Sequence, residues 1–259
     1  MAEFTLNGQV ALVTGSTQGI GAGIAKTFAA QGARVVVHGL DQSAAAGVAT
    51  AIRDAGGEPL LIVGDLRDEG FCRSLVRKTI DRFGRVDILV NNAASTQRSD
   101  IEDESAKLWD DILAINLRAP FILCQEAVRN MKERQSGCVI NIGSVNAYVG
   151  ARNLLAYSTS KGGLMTFTRN LAFHLTKYRI RVNQINPGWV LTEGEHRVQS
   201  VVEGKGEDWL KDASQRRPFG RLLDPEDIAR AALFLATAEL ITGAVLDYDQ
   251  IPTGAPRDV

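Results

Sequence analysis

Residues 10–25 read VALVTGSTQGIGAGIA: an apolar run rich in strand formers, then Gly15, Gly19 and Gly21 at the mouth of a helical segment. A strand-to-helix turn this tight needs backbone that tolerates positive φ, and a pyrophosphate needs a loop without side chains in its way. The helix that follows would offer unpaired N–H groups and the positive end of its dipole. Glycines alone fit a close turn equally well; their place after the first strand of a βα series favours a dinucleotide site. The spacing is Gly-x3-Gly-x-Gly with Thr14 ahead of it, not the common Gly-x-Gly-x2-Gly.

Outward from this loop, short β-rich runs alternate with helix-length segments. Strands are expected at 10–14, 34–38, 59–63, 87–90, 138–142, 181–185 and 244–247, and helices at 21–31, 42–55, 68–83 and 155–177. Runs such as VALVT, RVVVH and DILVN are continuously apolar, as strands buried on both faces must be. Regular alternation predicts an α/β fold: one Rossmann-like, doubly wound domain over 1–259, with a parallel seven-stranded sheet and helices on both faces. Gly56-Gly57 is expected to end a helix and Pro187-Gly188 a strand. Residues 193–215 are charged and irregular in pattern, and predict a substrate-loop insertion at about 190–215.

Bulk properties narrow the function classes. The chain has 259 residues, 45% hydrophobic and 23% charged, with a net charge of −1, the balance of a soluble globular protein. That charge, with a pI near 6.3, gives no footprint for nucleic acid or an anionic membrane. The start, MAEFTLNGQV, has an early acid and no apolar run, and no stretch is long enough to span a bilayer, so a cytoplasmic location is expected. Cys72, Cys124 and Cys138 fall into no ligand spacing, and with only three histidines no metal site is expected.

A second stretch carries chemistry. GSVNAYVGARNLLAYSTSK, residues 143–161, contains Ser144, Tyr157 and Lys161. A free tyrosine ionises near pH 10 and is a poor base at neutral pH, but a cation within a few ångströms stabilises the phenolate. Lys161 follows Tyr157 by four residues, which puts both on one helix face. Tyr157 then reads as general base for alcohol oxidation or acid for carbonyl reduction, with Ser144 on the substrate oxygen. A surface Tyr–Lys pair and a serine ending a strand are the plainer alternatives.

Taken together, Thr14-Gly15-x3-Gly19-x-Gly21, Asn91-Asn92-Ala93-Ala94, Ser144 with Tyr157-x3-Lys161, INPGWVLT at 185–192 and GRLLDPEDIARAALFLA at 220–236 resemble the short-chain dehydrogenase/reductase family. The likeness runs from about residue 6 to residue 247, with the five motifs in family order. It implies a nicotinamide cofactor, with Gly15, Gly19, Ile20 and Gly21 under the pyrophosphate and Gln18 at a cofactor-binding position where a basic residue is frequent. Asp65, beside Leu66, would meet the adenine. Asn92, Ala93 and Ala94 would line the ribose side, and Ala94 departs from the family's glycine. Pro187, Gly188, Val190 and Thr192 would frame the nicotinamide, and Lys161 would also reach its ribose. Asn116 would hold a proton-relay water against Lys161, completing a catalytic set of Asn116, Ser144, Tyr157 and Lys161.

Cofactor choice turns on His38, Gly39 and Leu40. Gly39 stands where an acid would bind the ribose 2′-hydroxyl, and Leu40 where an arginine would bind a 2′-phosphate. His38 either contacts the adenosine or packs at the strand end; Asp41 either reaches the ribose or caps the next helix. Lack of positive charge favours NAD without excluding NADP. Around the nicotinamide, polar loops place Ser144, Asn146, Arg152, Tyr157 and Trp189 as substrate-binding candidates, with Arg98, Glu195 and His196 nearby. These favour a small-molecule alcohol or ketone: a sugar, polyol or sugar acid. A 3-oxoacyl-carrier-protein reductase and a catalytically silent cofactor sensor or scaffold are the alternatives. The surplus of apolar residues on the 155–177 helix (Leu164, Met165, Phe167, Leu171, Ala172, Phe173, Leu175) predicts burial against another surface, and the resemblance implies that this surface is a symmetry mate in a homotetramer. Gln250 and the tail to Val259 are candidates to reach a neighbouring subunit's site.

Overall fold

A computed structural model describes residues 4–252 of the chain. Its strands are β1 (Val10–Val13), β2 (Arg34–Gly39), β3 (Pro59–Val63), β4 (Ile88–Asn91), β5 (Gly137–Ile142), β6 (Ile180–Pro187) and β7 (Val245–Tyr248). All pair in parallel in one sheet, in the order β3-β2-β1-β4-β5-β6-β7. The helices are α1 (Gly19–Ala30), α2 (Gln42–Asp54), α3 (Glu69–Phe83), α4 (Ala106–Leu113), α5 (Ala119–Arg134), α6 (Leu155–Leu175), α7 (Glu193–Arg197), α8 (Trp209–Gln215) and α9 (Pro225–Thr237).

Two-residue alternation splits the core in two. Ala11 and Val13 face one side with Ile24 and Phe28 of α1 and Ile228 and Leu235 of α9. Val10 and Leu12 face the other with Leu75 and Val76 of α3 and Leu123 and Met131 of α5. β1 is covered on both faces, which is why VALV reads as unbroken apolar residues. Helix starts follow from side-chain caps. Asp41 accepts from Ala44 N at 2.8 Å, Asp68 from Gly70 N at 2.7 Å and Ser105 from Leu108 N at 3.1 Å, each cap contributing about 1 kcal/mol. Asp41 is therefore a helix cap. Gly56 has φ +85°, and Pro187 is the last residue of β6.

Boundaries move where a side chain does other work. Thr14, expected in β1, lies just past it, and its hydroxyl accepts the N–H groups of Asn92 and Ala93 at 3.0 and 3.1 Å. Asp87, expected in β4, precedes it and takes Val10 N at 2.9 Å. The long helix ends at Leu175 and tightens into a 3-10 turn over Thr176–Tyr178. Residues 193–215 are more regular than their sequence suggests: α7, a π-helical turn (Val198–Val202) and α8. Trp209 and Ala213 of that segment form a small core with Leu222, which follows it. A second π-helical turn, Ala114–Arg118, joins α4 to α5. Among the described residues no helix is long and apolar enough to cross a membrane.

Candidate active site

Strand order reverses between β1 and β4, and there the carboxyl ends of the strands open into a cavity of about 500 Å³. Its walls include Gly15, Gln18, Gly19, Ile20, Gly21, His38, Gly39, Leu40, Asp65, Leu66, Asn92, Ala93, Ala94 and Thr192, all expected from the sequence. Thr17, Asp41, Ala44, Gly64, Ile115 and Gly194 join them. Pro187, Gly188 and Val190 are not among the walls. Gly188 lies against Asp249, whose Oδ1 would meet an added Cβ at 2.1 Å, and Val190 pairs with Leu223. Tyr157 and Lys161 also stand outside this cavity.

The loop fits a dinucleotide's phosphates. Gly15 has φ +61°, and a Cβ there would lie 2.8 Å from Ala93 Cα; one on Gly21 would lie 2.3 Å from Gly15 O. The loop is thus folded against β4's exit with no room for side chains. Helix α1 begins without a side-chain cap, so its first N–H groups are free to meet an anion.

Three expected contacts are already committed within the chain. His38 is 2% exposed. Its Nδ1 accepts from Gly15 N at 3.2 Å and its Nε2 pairs with Gly64 O at 3.2 Å, which fixes a neutral ring with the proton on Nε2. Burial pulls its pKa down to about 4. Although it touches the cavity, its ring is spent on fastening the glycine loop to β2 and β3. Asp65 is held by Arg67, whose N–H, Nε and guanidinium bond it at 2.8, 2.8 and 2.6 Å; the guanidinium holds its pKa below the usual range. Asn92 donates its amide to Thr14 O and Gly15 O, both at 2.9 Å.

The second part of the site sits at the end of β5, the strand beside β4. Ser144 N donates to Asn186 Oδ1 at 3.1 Å, and Ser144 Oγ accepts Asn146 N at 3.1 Å. Tyr157 and Lys161 come from the first turns of α6. Burial pushes the Tyr157 phenol's pKa up, Ser144 acts in the opposite direction, and the Glu195 carboxylate adds to the rise. Lys161 Nζ lies 5.5 Å from the Tyr157 ring centroid and donates to Ile142 O at 2.8 Å. Burial lowers its own pKa to about 8. Lys161 is thus the cation placed beside the Tyr157 ring, while burial pushes the phenol's own pKa up in the chain by itself.

Asn116 is buried in the π-helical turn, its amide exchanging bonds with Ser95 N and O at 2.8 and 3.0 Å and donating to Ser160 Oγ at 3.0 Å. Its side chain makes no bond to Lys161; Ser160, one residue before that lysine, is its link to α6. Among substrate candidates, Asn146 adjoins Ser144, and Trp189 Nε1 bonds Glu195 Oε1 at 2.8 Å. Arg152 is exposed on the loop before α6. Gln250 bonds Phe219 N at 3.0 Å and Arg221 O at 2.6 Å within its own chain; residues 253–259 lie outside the described residues.

Sequence reasoning missed Asn186, wholly buried, which accepts from Ser144 N and Gln184 Nε2 and donates to Asp247 at 3.0 Å. Its signal was a run of amides, Asn183, Gln184 and Asn186, in a strand buried along most of its length. Ser95 and Ser160 had none.

Comparison with known proteins agrees with this layout. A family model described as enoyl-(acyl carrier protein) reductase matches residues 15–250. An uncharacterized oxidoreductase of Thermotoga maritima is 38% identical, covering 92% of this chain and 93% of that protein. A D-threitol dehydrogenase of Mycolicibacterium smegmatis is 36% identical over 95% of this chain and 94% of its own. A Beutenbergia cavernae structure, assigned provisionally as an NAD(P)-dependent gluconate 5-dehydrogenase with NADP bound at low occupancy, superposes with a TM-score of 0.87 at 33% identity, covering 95% and 97% of the two chains.

Proposed function

The chain belongs to the short-chain dehydrogenase/reductase family, and from that premise we propose that it is an NAD-linked dehydrogenase of a sugar, polyol or sugar acid. The observation that carries the reading is the convergence of Ser144, Tyr157 and Lys161 beside the glycine-lined cavity. A bound nicotinamide would supply the hydride acceptor in alcohol oxidation, or the donor in the reverse direction. Gly15, Gly19, Ile20 and Gly21 would hold its pyrophosphate and Thr192 would close over it.

The chain's own groups handle the proton. Tyr157 Oη takes the alcohol's proton during oxidation and returns it during reduction. Ser144 Oγ donates to the substrate oxygen and steadies the charge that develops there. Lys161, with a pKa near 8, exchanges a proton without a large barrier near neutral pH. Asn186 holds Ser144 in place through its backbone N–H.

Preference for NAD is supported by cavity walls that hold no lysine or arginine, while Asp41 and Asp65 bring negative charge. Among the described residues lining it, a 2′-phosphate would meet no cation. The D-threitol dehydrogenase and gluconate 5-dehydrogenase likenesses support the substrate class, and the polar loops around Ser144 suit hydroxyls. The enoyl-reductase description favours a carrier-protein reductase as the second reading, and that enzyme would need a basic docking surface. We place the protein in the cytoplasm as a homotetramer, one domain per chain. The test is a spectrophotometric screen of polyols, sugars, sugar acids and 3-oxoacyl thioesters with each cofactor. NAD-linked turnover of a polyhydroxylated compound supports the reading; turnover of thioesters alone overturns it.

A further inference from the structure

The loop after β4 and the helix after β6 meet across the end of β5, where Ser144 stands. Ser99 of the first loop pairs with Leu154, and its N–H bonds Asn153 O at 3.1 Å, just ahead of Tyr157. Arg98, next to it, is ion-paired to two acids of the 193–215 segment, Glu195 at 3.6 Å and Glu203 more closely. Lys205 is held by Glu203 at 2.8 Å and by Gln199 at 2.6 Å. Two cations therefore face two acids, and neither cation is left over for a substrate carboxylate.

Glu195 differs from its partners by position. It lies in the first turn of α7, whose cap Thr192 and neighbour Gly194 line the cofactor cavity. Trp189 Nε1, Gln199 Nε2 and Arg98 all converge on its Oε1, at 2.8, 2.7 and 3.6 Å. Among the described residues Oε2 has none of these contacts and can accept a hydroxyl. The field of this carboxylate is felt at Tyr157, whose pKa it raises. A carboxylate with one oxygen outside these contacts binds hydroxyl donors and repels a second carboxylate.

We propose that Glu195 selects uncharged polyhydroxylated alcohols over their carboxylate counterparts as substrates of this site. The inference rests on the dehydrogenase reading and narrows its substrate class. The oxidation itself is unchanged: the carbinol hydrogen leaves as hydride to the cofactor, and the hydroxyl proton goes to Tyr157. One other cation opposes the selection, Arg217, which lies 5.2 Å from the ring of Trp189, the residue bonded to Glu195.

The test compares kcat/KM for tetritols, pentitols and hexitols with that for aldonates of equal chain length, using the full chain and NAD. Polyols are expected to lead by at least about tenfold, the effect of one like-charge contact at a partly buried site. Glu195→Gln should shrink the lead several-fold by raising aldonate turnover, and Glu195→Asp, which keeps the charge, should preserve it. A measurement that needs no cofactor accompanies it. In protein with carbon-13-labelled tyrosine, the Tyr157 resonance, identified with Tyr157→Phe, should titrate at lower pH in Glu195→Gln. An aldonate preference in the unaltered protein, or an unchanged ratio and an unmoved Tyr157 titration in Glu195→Gln, overturns the inference alone. No turnover of any polyol, sugar or aldonate overturns the dehydrogenase reading of this substrate class with it.

Discussion

Tyr157→Phe keeps the ring that packs beside Lys161 and deletes only the oxygen that would carry the proton. It should cost about a thousandfold in kcat, inside the roughly 10²–10⁴ span of a general acid/base, while NADH fluorescence titration gives unchanged cofactor affinity. Turnover at a tenth of the parent's would remove Tyr157 from that role. His38 makes a separate claim about acid stability. Its folded pKa of about 4 lies below its ordinary value of 6.5, so the unfolded chain binds the proton more readily. Its stabilisation is complete above pH 6.5, erodes as pH falls from there, and is spent near pH 4. The loss is on the order of 3 kcal/mol. Urea unfolding from pH 7 to 4 should show this slope, and His38→Gln should flatten it. A parent protein equally stable across that range would mean that His38 does not stay neutral in the fold.

At the scale of elements, the loop after β2 governs cofactor choice. Leu40 is 71% exposed at the cavity wall, so Leu40→Arg has room and should shift the kcat/KM ratio toward NADP by about tenfold. A parent enzyme that already favours NADP tenfold would refute the preference for NAD. Gly39 is a different matter, because a Cβ there would lie 2.4 Å from Thr17 Cγ2. In the glycine loop, Gly15→Ala meets both a positive φ and the Ala93 backbone at 2.8 Å, and should weaken NADH binding at least about tenfold. Wild-type affinity in that variant would show the loop to be more pliant than its packing implies. The sequence made these elements legible because local chemistry decides them: buried parallel strands must be apolar, and capped helices announce their starts. It left α7 and α8 obscure, since the small core of Trp209, Ala213 and Leu222 is gathered from residues with no common period. For the same reason the roles of Asn186, Ser95 and Ser160 were hidden, their partners lying far along the chain. The sign of the Tyr157 shift was also out of reach, because spacing reports a neighbouring cation but not the depth of burial.

Across the whole molecule, α6 and its neighbours leave apolar surface uncovered. Leu164, Ala172 and Leu175 are buried in the chain, whereas Phe173 is 87% and Phe121 48% exposed. Phe121 and Phe167 meet edge to face, 6.4 Å apart, at a trough of about 640 Å³ lined also by Leu113 and Leu117. Light scattering is expected to give the mass of four chains, and Phe121→Asp a smaller species; a fully active monomer would defeat the assembly. The strand order has a further consequence, for birth rather than for catalysis. β1 lies inside the sheet, third of its seven strands, yet the edge that β4 will cover stays open until that strand has been made. Val10 N waits for the carboxylate of Asp87, 77 residues later. At about 5–20 residues per second of translation that is roughly 4–15 s. Only the last part of this interval, after β3 is made, can hold the three strands β3-β2-β1 together, and their β1 edge is then bare and strongly apolar, the kind that seeks strands from other chains. The same switch in strand order that opens the cavity thus makes the emerging polypeptide a client for whatever shields nascent β-edges at the ribosome.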